Sequence, residues 1–304
     1  MTYSILARDP DTGAVGVAVQ SHFFGVGRLV GWLEPGLGGV ATQAFVNVGL
    51  GPQGLDLLRG GASAQEAVDA LVAGDELPDF RQVAVVDAQG RVAAFTGSRC
   101  VAAAGSRAGD GVVVQGNMLV SDAVYESMLD AYEASTEPFA ERLIAALRAA
   151  EDAGGDARGS QSAAVKVVSG DTSVPTWERT LVDLRVDDAV DPVGEITRLL
   201  TLHRAYESIG AAMFVPGLIV GDFPADISPA DVDAAVAALA EAQVSLGSNL
   251  ESSFWRGVLL ARAGRAEAAR EVFAEVFTGA PHLRAYLDSV ARAGFLDTAA
   301  LSPV

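Results

Sequence analysis

The chain has 304 residues, 50% of them hydrophobic, which is length enough for one large domain with a buried core and a smaller one after it. Its 39 acidic residues against 21 basic ones give a net charge of −18, a balance that repels phosphate backbones and anionic lipid and argues against nucleic acid or a membrane as partner. Cys100 is the only cysteine, so no intrachain disulfide forms, and the N-terminal stretch carries Arg8, Asp9, Asp11 and Arg28 with no signal-peptide run, which points to the cytoplasm.

Thr2 to Ala7 reads as a strand with Thr2, Ser4 and Leu6 on one face. Asp9-Pro10-Asp11-Thr12-Gly13 has the chemistry of a turn, and Ala14 to Gln20 reads as the returning strand. Gly25 to Gly38 is glycine-rich and turn-prone, and Gly39 to Val46 reads as a third strand. Pro52 fits the first turn of a helix carrying Leu55, Leu57 and Leu58, and Ser63 with Glu66 forms a capping box for the next. Gln82 to Asp87 and Arg91 to Phe95 make a hairpin, with further strands at Cys100 to Ala104 and Gly111 to Gln115.

Ser121 to Tyr132 reads as a helix. A second starts at Pro138, with Phe139, Leu143, Ala146, Leu147 and Ala150 on one face and Gly154-Gly155 at its end. Gln161 to Val168 and Arg179 to Val186 return as strands before a helix opened by Pro192. Helices arriving in pairs between runs of antiparallel strands predict an α+β fold, two stacked sheets with a helix layer outside each, a four-layer αββα sandwich.

Met213 to Ala230 is irregular, with Pro216, Pro224 and Pro229, and alanine-rich helical sequence follows. We place a domain boundary at Asp222, giving residues 1–222 as the sandwich and 223–304 as a small all-α domain. There Phe254-Trp255, Leu259, Gly264, Ala268, Phe273 and Pro281 follow the spacing of a tetratricopeptide repeat. One repeat cannot bury its own faces, so it must pack on the helix from Asp231 to Gln243, on that from Leu283 to Ala293, or on the main domain.

Thr2 stands directly behind Met1, and removal of Met1 would make it both nucleophile and base. Its own α-amine, with a pKa of about 7.7 to 8.0, would take the hydroxyl proton, and no histidine is needed. The three histidines are scattered: His22 follows the second strand, while His203 and His282 read as packing or surface residues. No His, Cys or carboxylate cluster has metal-ligand spacing, and no Gly-x-Ser-x-Gly stands at a strand-to-helix turn, so neither a metal nor a cofactor is expected.

Gln43 and Asn47 flank the end of the third strand and offer either oxyanion donors or partners for loop backbone; Asn117 is similar. Arg158 offers a clamp for a substrate carboxylate or an ion pair with an acidic neighbour. Gly49-Leu50-Gly51-Pro52-Gln53-Gly54 has a phosphate-cradle look without a P-loop lysine. Phe23 and Phe24 beside Ser21 and His22 read as core packing or as a pocket lining.

Five spaced segments, Thr2 to Pro10, Gly16 to Ser21, Ala41 to Ala44, Gln115 to Met118 and Arg158 to Ser162, resemble the family known as domain of unknown function 1028, over about residues 1–210. The resemblance implies the Ntn-hydrolase fold, with Thr2 at the nucleophile position and Ser21 facing it. The lysine that proteasome-like members carry near the third strand has no counterpart: that region offers Arg28, Thr42 and Gln43, and Lys166 lies on a late strand.

The resulting expectation is an N-terminal-nucleophile amidohydrolase acting on a small-molecule or peptide-like amide. Thr2, Ser21 and Asn47 would be catalytic, and Ser4, His22, Gln43, Asn117, Arg158 and Gln161 would form the substrate site. The alternative is a non-catalytic binding or assembly protein whose helical tail makes a homo-oligomer or meets a partner.

Overall fold

The computed structural model describes residues 2–215, 217–224, 226–297 and 301. Met1 and Pro216, both invoked above, lie outside the described residues. The chain divides into two compact units, Met1–Arg198 and Leu199–Val304. Asp222, where the sequence places a boundary, falls within the second.

The first unit opens with β1 (Thr2–Arg8) and β2 (Val15–Ser21), antiparallel with Tyr3 opposite Gln20. Their turn is closed by Asp9 N donating to Ala14 O at 2.8 Å, and Gly13 takes the left-handed φ of 71° that the reversal demands. β3 (Gly31–Glu34) and β4 (Gly38–Ala44) follow, then α1 (Leu50–Arg59) and α2 (Ala64–Gly74). The capping box stands as expected: Ser63 N donates to Glu66 Oε2 at 2.8 Å, and Ser63 Oγ accepts from Glu66 N. Next come β5 (Arg81–Asp87), β6 (Val92–Thr96), β7 (Gly105–Gly109) and β8 (Val112–Asn117). α3 (Ala123–Ala134), α4 (Phe139–Asp152), β9 (Ser162–Val168) and β10 (Thr180–Val186) complete the unit up to α5 (Pro192–Phe214).

The strands form two sheets, ordered β10-β9-β2-β1-β8-β7 and β3-β4-β5-β6, and the pairings between strands are antiparallel. α1 and α2 cover the outer face of the small sheet, α3 and α4 that of the large one, and the inner faces meet. This is the αββα sandwich. Between the sheets Leu6, Val17, Val19, Ala41, Ala84, Val86 and Val113 interlock; Val40, Val83 and Val85 point the other way, onto Leu55, Leu58, Val68 and Leu71 of the helices. Period-two alternation therefore sets which residues of a strand reach the inter-sheet layer.

Two strand expectations need correction. Gly31–Glu34 is a strand inside the stretch read as turn, because Gly31 allows close approach: a Cβ there would stand 2.5 Å from Val17 Cγ1. Cys100 to Ala104 is irregular, and the strand begins after it at Gly105. That segment instead donates Ala103 N to Leu119 O at 3.3 Å and receives Met118 N on Val101 O at 2.7 Å, bracing the end of β8.

The second unit holds the distal part of α5 with α6 (Pro229–Leu246), α7 (Glu251–Arg262), α8 (Ala266–Gly279) and α9 (Leu283–Arg292). Phe254, Val258, Leu259, Phe273 and Val276 centre its core. α7 and α8 pack on each other. Gly257 admits the Phe273 ring, since a Cβ there would stand 2.8 Å from it.

Candidate functional site

Because β1 is central in its sheet, its first residue is flanked on both sides: Thr2 faces Asn117 of β8 in register, and the end of β2 brings Ser21 alongside. Thr2 Oγ1 and Ser21 Oγ are 3.1 Å apart. Thr2 is 7% exposed, and what it exposes opens on a cavity of about 240 Å3. Ser21, Gln43 and Arg158 supply the other polar lining; Phe23, Phe45 and Leu29 are among the apolar side chains.

Beneath Thr2 the two sheets are joined by neutral amides. Gln43 Nε2 donates to Thr2 O at 3.1 Å and to Gln82 Oε1 at 2.7 Å, while Gln43 Oε1 accepts from Ser4 Oγ at 2.7 Å. Asn117 Nδ2 donates to Gln82 Oε1 at 3.0 Å, and Gln115 Nε2 to Ser4 Oγ at 3.3 Å and Ala41 O at 3.0 Å. Gln82 Nε2 reaches Gly116 O at 2.8 Å and Gly105 O at 3.1 Å. Leaving any one of these buried groups unpaired costs about 1–3 kcal/mol, so the network holds its members in place. None of the five side chains titrates near neutral pH.

On the opposite face of β1, the Tyr3 hydroxyl donates to Glu151 of α4, and Ser160 Oγ donates to both carboxylate oxygens at 2.9 Å. Burial, and then the negative charge of Glu151, push the Tyr3 phenol far above its ordinary range, so it stays a donor. Glu151 thus ties β1 to the loop that carries Arg158. Asp156, with its side chain fully buried, anchors that loop: it accepts from Arg158 N at 2.8 Å, pairs with Arg158 Nη2 at 3.2 Å, and accepts from His22 N at 3.0 Å. Arg158 therefore has the ion pair the sequence allowed, yet its side chain is 41% exposed and still borders the cavity.

Backbone conformation marks the same place. Among the described residues two that are not glycine have positive φ, Ala44 at 71° and Met118 at 56°, and both line the cavity. Each left-handed residue costs about 1–2 kcal/mol, and strain of this kind gathers at functional sites.

The structure thus brings together Thr2, Ser21, Gln43 and Arg158 at the cavity, with Ser4 and Asn117 in the network under it. Asn47 requires correction as an oxyanion donor: its Nδ2 donates to Asp75 Oδ2 at 2.7 Å and its Oδ1 accepts from Gly49 N at 3.1 Å, so both ends of the amide are engaged elsewhere. That second contact also occupies the phosphate-cradle segment. Asp75 is held below the usual carboxylate range: burial alone would raise it, but hydrogen bonds from Asn47, Leu77 N and Arg81 together outweigh that. His22 is exposed and contributes its backbone, and Gln161 Nε2 donates to Asp188 Oδ1 at 3.0 Å, away from the cavity. Phe23 and Phe24 are 53% and 59% exposed, so they are not core residues.

Gln82, Asp156 and Glu151 went unnoticed in the sequence. Gln82 opens an ordinary strand pattern, and its one signal is a polar residue in register with Gln43 across β4 and β5. Among the described residues no three His, Cys, Asp or Glu side chains group as metal ligands, and no helix is long and apolar enough to cross a membrane.

An αββα sandwich with the N-terminal strand central in one sheet, its first hydroxyl at a cavity, defines the class of protein. Within that class the chain belongs to the family of unknown function DUF1028, whose family model matches residues 2–196. It is similar to protein SPO2555 from Silicibacter pomeroyi, known from a crystal structure and matching the same family model. The two share 33% identity over 73% of this chain and 91% of that one, with a TM-score of 0.60. No curated protein matches the chain.

Proposed function

We propose that this protein is an N-terminal-nucleophile amidohydrolase acting on a small amide or peptide-like bond. The observation that carries the reading is Thr2 itself, central in the sheet, with Oγ1 at the cavity and 3.1 Å from Ser21 Oγ. Once Met1 is removed, the α-amine of Thr2 accepts the hydroxyl proton as Oγ1 attacks the substrate carbonyl. The C–N bond breaks, the amine proton passes to the leaving nitrogen, and water hydrolyses the Thr2 ester to release the acid and restore the hydroxyl. The backbone amide of Val46, in the cavity lining two residues after the left-handed Ala44, takes the oxyanion role that Asn47 does not fill.

The lining supports a substrate with an apolar part against Phe23, Leu29 and Phe45 and a carboxylate facing Arg158. The reading places the reaction in the cytoplasm, where methionine trimming occurs, and gives the second unit a role in self-association, which native mass of the full chain measures directly.

The test is to treat Met1-trimmed protein and its Thr2→Ala variant with an amide-directed electrophile and read intact mass. An adduct on the wild type alone is expected. Equal labelling of both, or a terminus that retains Met1, would turn the reading toward a non-catalytic binding protein.

A further inference from the structure

The segment from Val26 to Gly31 lines two cavities. Val26, Leu29 and Val30 face that of Thr2, while Gly27, Arg28 and Gly31 border a second, of about 260 Å3, between the sheets. Val17 and Val19 of β2 and Ala164 of β9 give it an apolar side. Its charged side is Arg28, Lys166 and Arg185, with Asp183 the single carboxylate among the lining residues.

This charge pattern runs against the rest of the chain, in which acids outnumber bases 39 to 21. Lys166, the only lysine, lies 3.3 Å from Asp183, and Arg185 lies 3.3 Å from Asp187. The Arg28 side chain makes no hydrogen bond or ion pair with any described residue. Three cations thus converge on one cavity against two carboxylates, and one is left without a counter-charge. Arg28 is exposed and the Lys166 and Arg185 side chains are 36% and 45% exposed, so solvent screens part of the repulsion among these like charges, and an anion held among them relieves the rest.

The wall is also built for close approach. A Cβ on Gly27 would stand 2.5 Å from Ala164 Cβ and 2.8 Å from Arg185 Cδ, so its absence is what lets the Arg185 stem lie beneath Arg28's own loop.

We propose that this second cavity binds a small dianion, a phosphate group or a dicarboxylate, held by Arg28, Lys166 and Arg185. Binding at this site does not require the Thr2 chemistry.

Trp32 lines the cavity and serves as a reporter. Full-length protein is titrated with inorganic phosphate and, separately, with malonate, following tryptophan fluorescence and calorimetry against sodium chloride of equal ionic strength. Saturable binding of at least one is expected, weakened at least tenfold in R28S/K166Q, unchanged in R107Q, and retained in Thr2→Ala. Phosphate alone binding assigns a phosphate-bearing ligand, malonate alone a dicarboxylate. Absence of saturation with both, or equal affinity in the R28S/K166Q protein with its thermal midpoint intact, overturns the proposal.

Discussion

Ala44 and Met118 border one cavity from different sheets, Ala44 as the last residue of β4 and Met118 as the residue after β8, and both hold a left-handed backbone. Two such residues meeting at one cavity indicate that the strand ends are bent there for what the bend exposes. Ala44→Gly should raise stability by about 1 kcal/mol in chemical denaturation, because glycine removes the Cβ clash while loosening the unfolded chain somewhat. A loss of stability would show that the Ala44 side chain contributes more by packing than its conformation costs.

Ser21→Ala removes the hydroxyl 3.1 Å from Thr2 Oγ1 and leaves the Thr2 backbone in its ladder. A hydrogen bond of ordinary strength is worth about 1 kcal/mol, so labelling of Thr2 should slow between a few-fold and tenfold without a change in fold. An unchanged labelling rate would leave Ser21 as a packing residue.

Gln82→Leu should be among the more damaging changes in the first unit, costing about 3 kcal/mol. It removes one acceptor from each of the Gln43 and Asn117 amides, which keep their bonds to Thr2 O, and takes the side-chain donor away from the carbonyls of Gly105 and Gly116. Denaturant unfolding reads this directly, and a cost within a few tenths of zero would mean that the network rearranges around the loss.

The network that supports Thr2 is built of Gln and Asn amides with a Ser hydroxyl, so nothing in it changes charge between pH 5 and 9. The pH profile of Thr2 labelling should then show one rising limb with a midpoint at about 7.7 to 8.0, as the α-amine loses its proton. A second inflection below pH 6 would bring in a group that this account leaves out.

Asp75 gives a pH effect on stability. Its folded carboxyl titrates below the ordinary range, so its contribution is fully present above the unfolded value of about 3.9 and disappears as pH falls through the lower folded value. Asp75→Asn should therefore destabilise by about 2 kcal/mol at pH 7, with the gap to wild type closing as the solution is acidified below pH 4.

The layered fold was legible because its signals are local. Paired helices show in their apolar spacing, and Ser63 with Glu66 announces its cap within four residues. β3 was hidden because glycines that serve close packing look the same in sequence as glycines that serve a turn; only Val17, from the facing sheet, distinguishes Gly31. Of the site, Thr2, Ser21, Gln43 and Arg158 could be named, since each stands at a strand end or in a spaced motif. Asn47 looked equivalent to Gln43, but Asp75, Gly49 and a change of direction after Ala44 turn its amide away. Gln82 and Asp156 matter through partners distant in sequence, Gln82 through Asn117 and Asp156 through His22, and one-dimensional spacing does not report such pairs.

The register of Thr2 opposite Asn117 also sets an order of events during synthesis. β2 follows within a few residues and can close a hairpin on one edge of β1, but the other edge waits for a strand more than a hundred residues later in the chain, and long-range pairings of this kind form slowly. Until β8 leaves the ribosome, that edge of β1, Thr2 included, has no strand partner. The chain's own topology thus makes the register that frames Thr2 a late event in the assembly of the first unit.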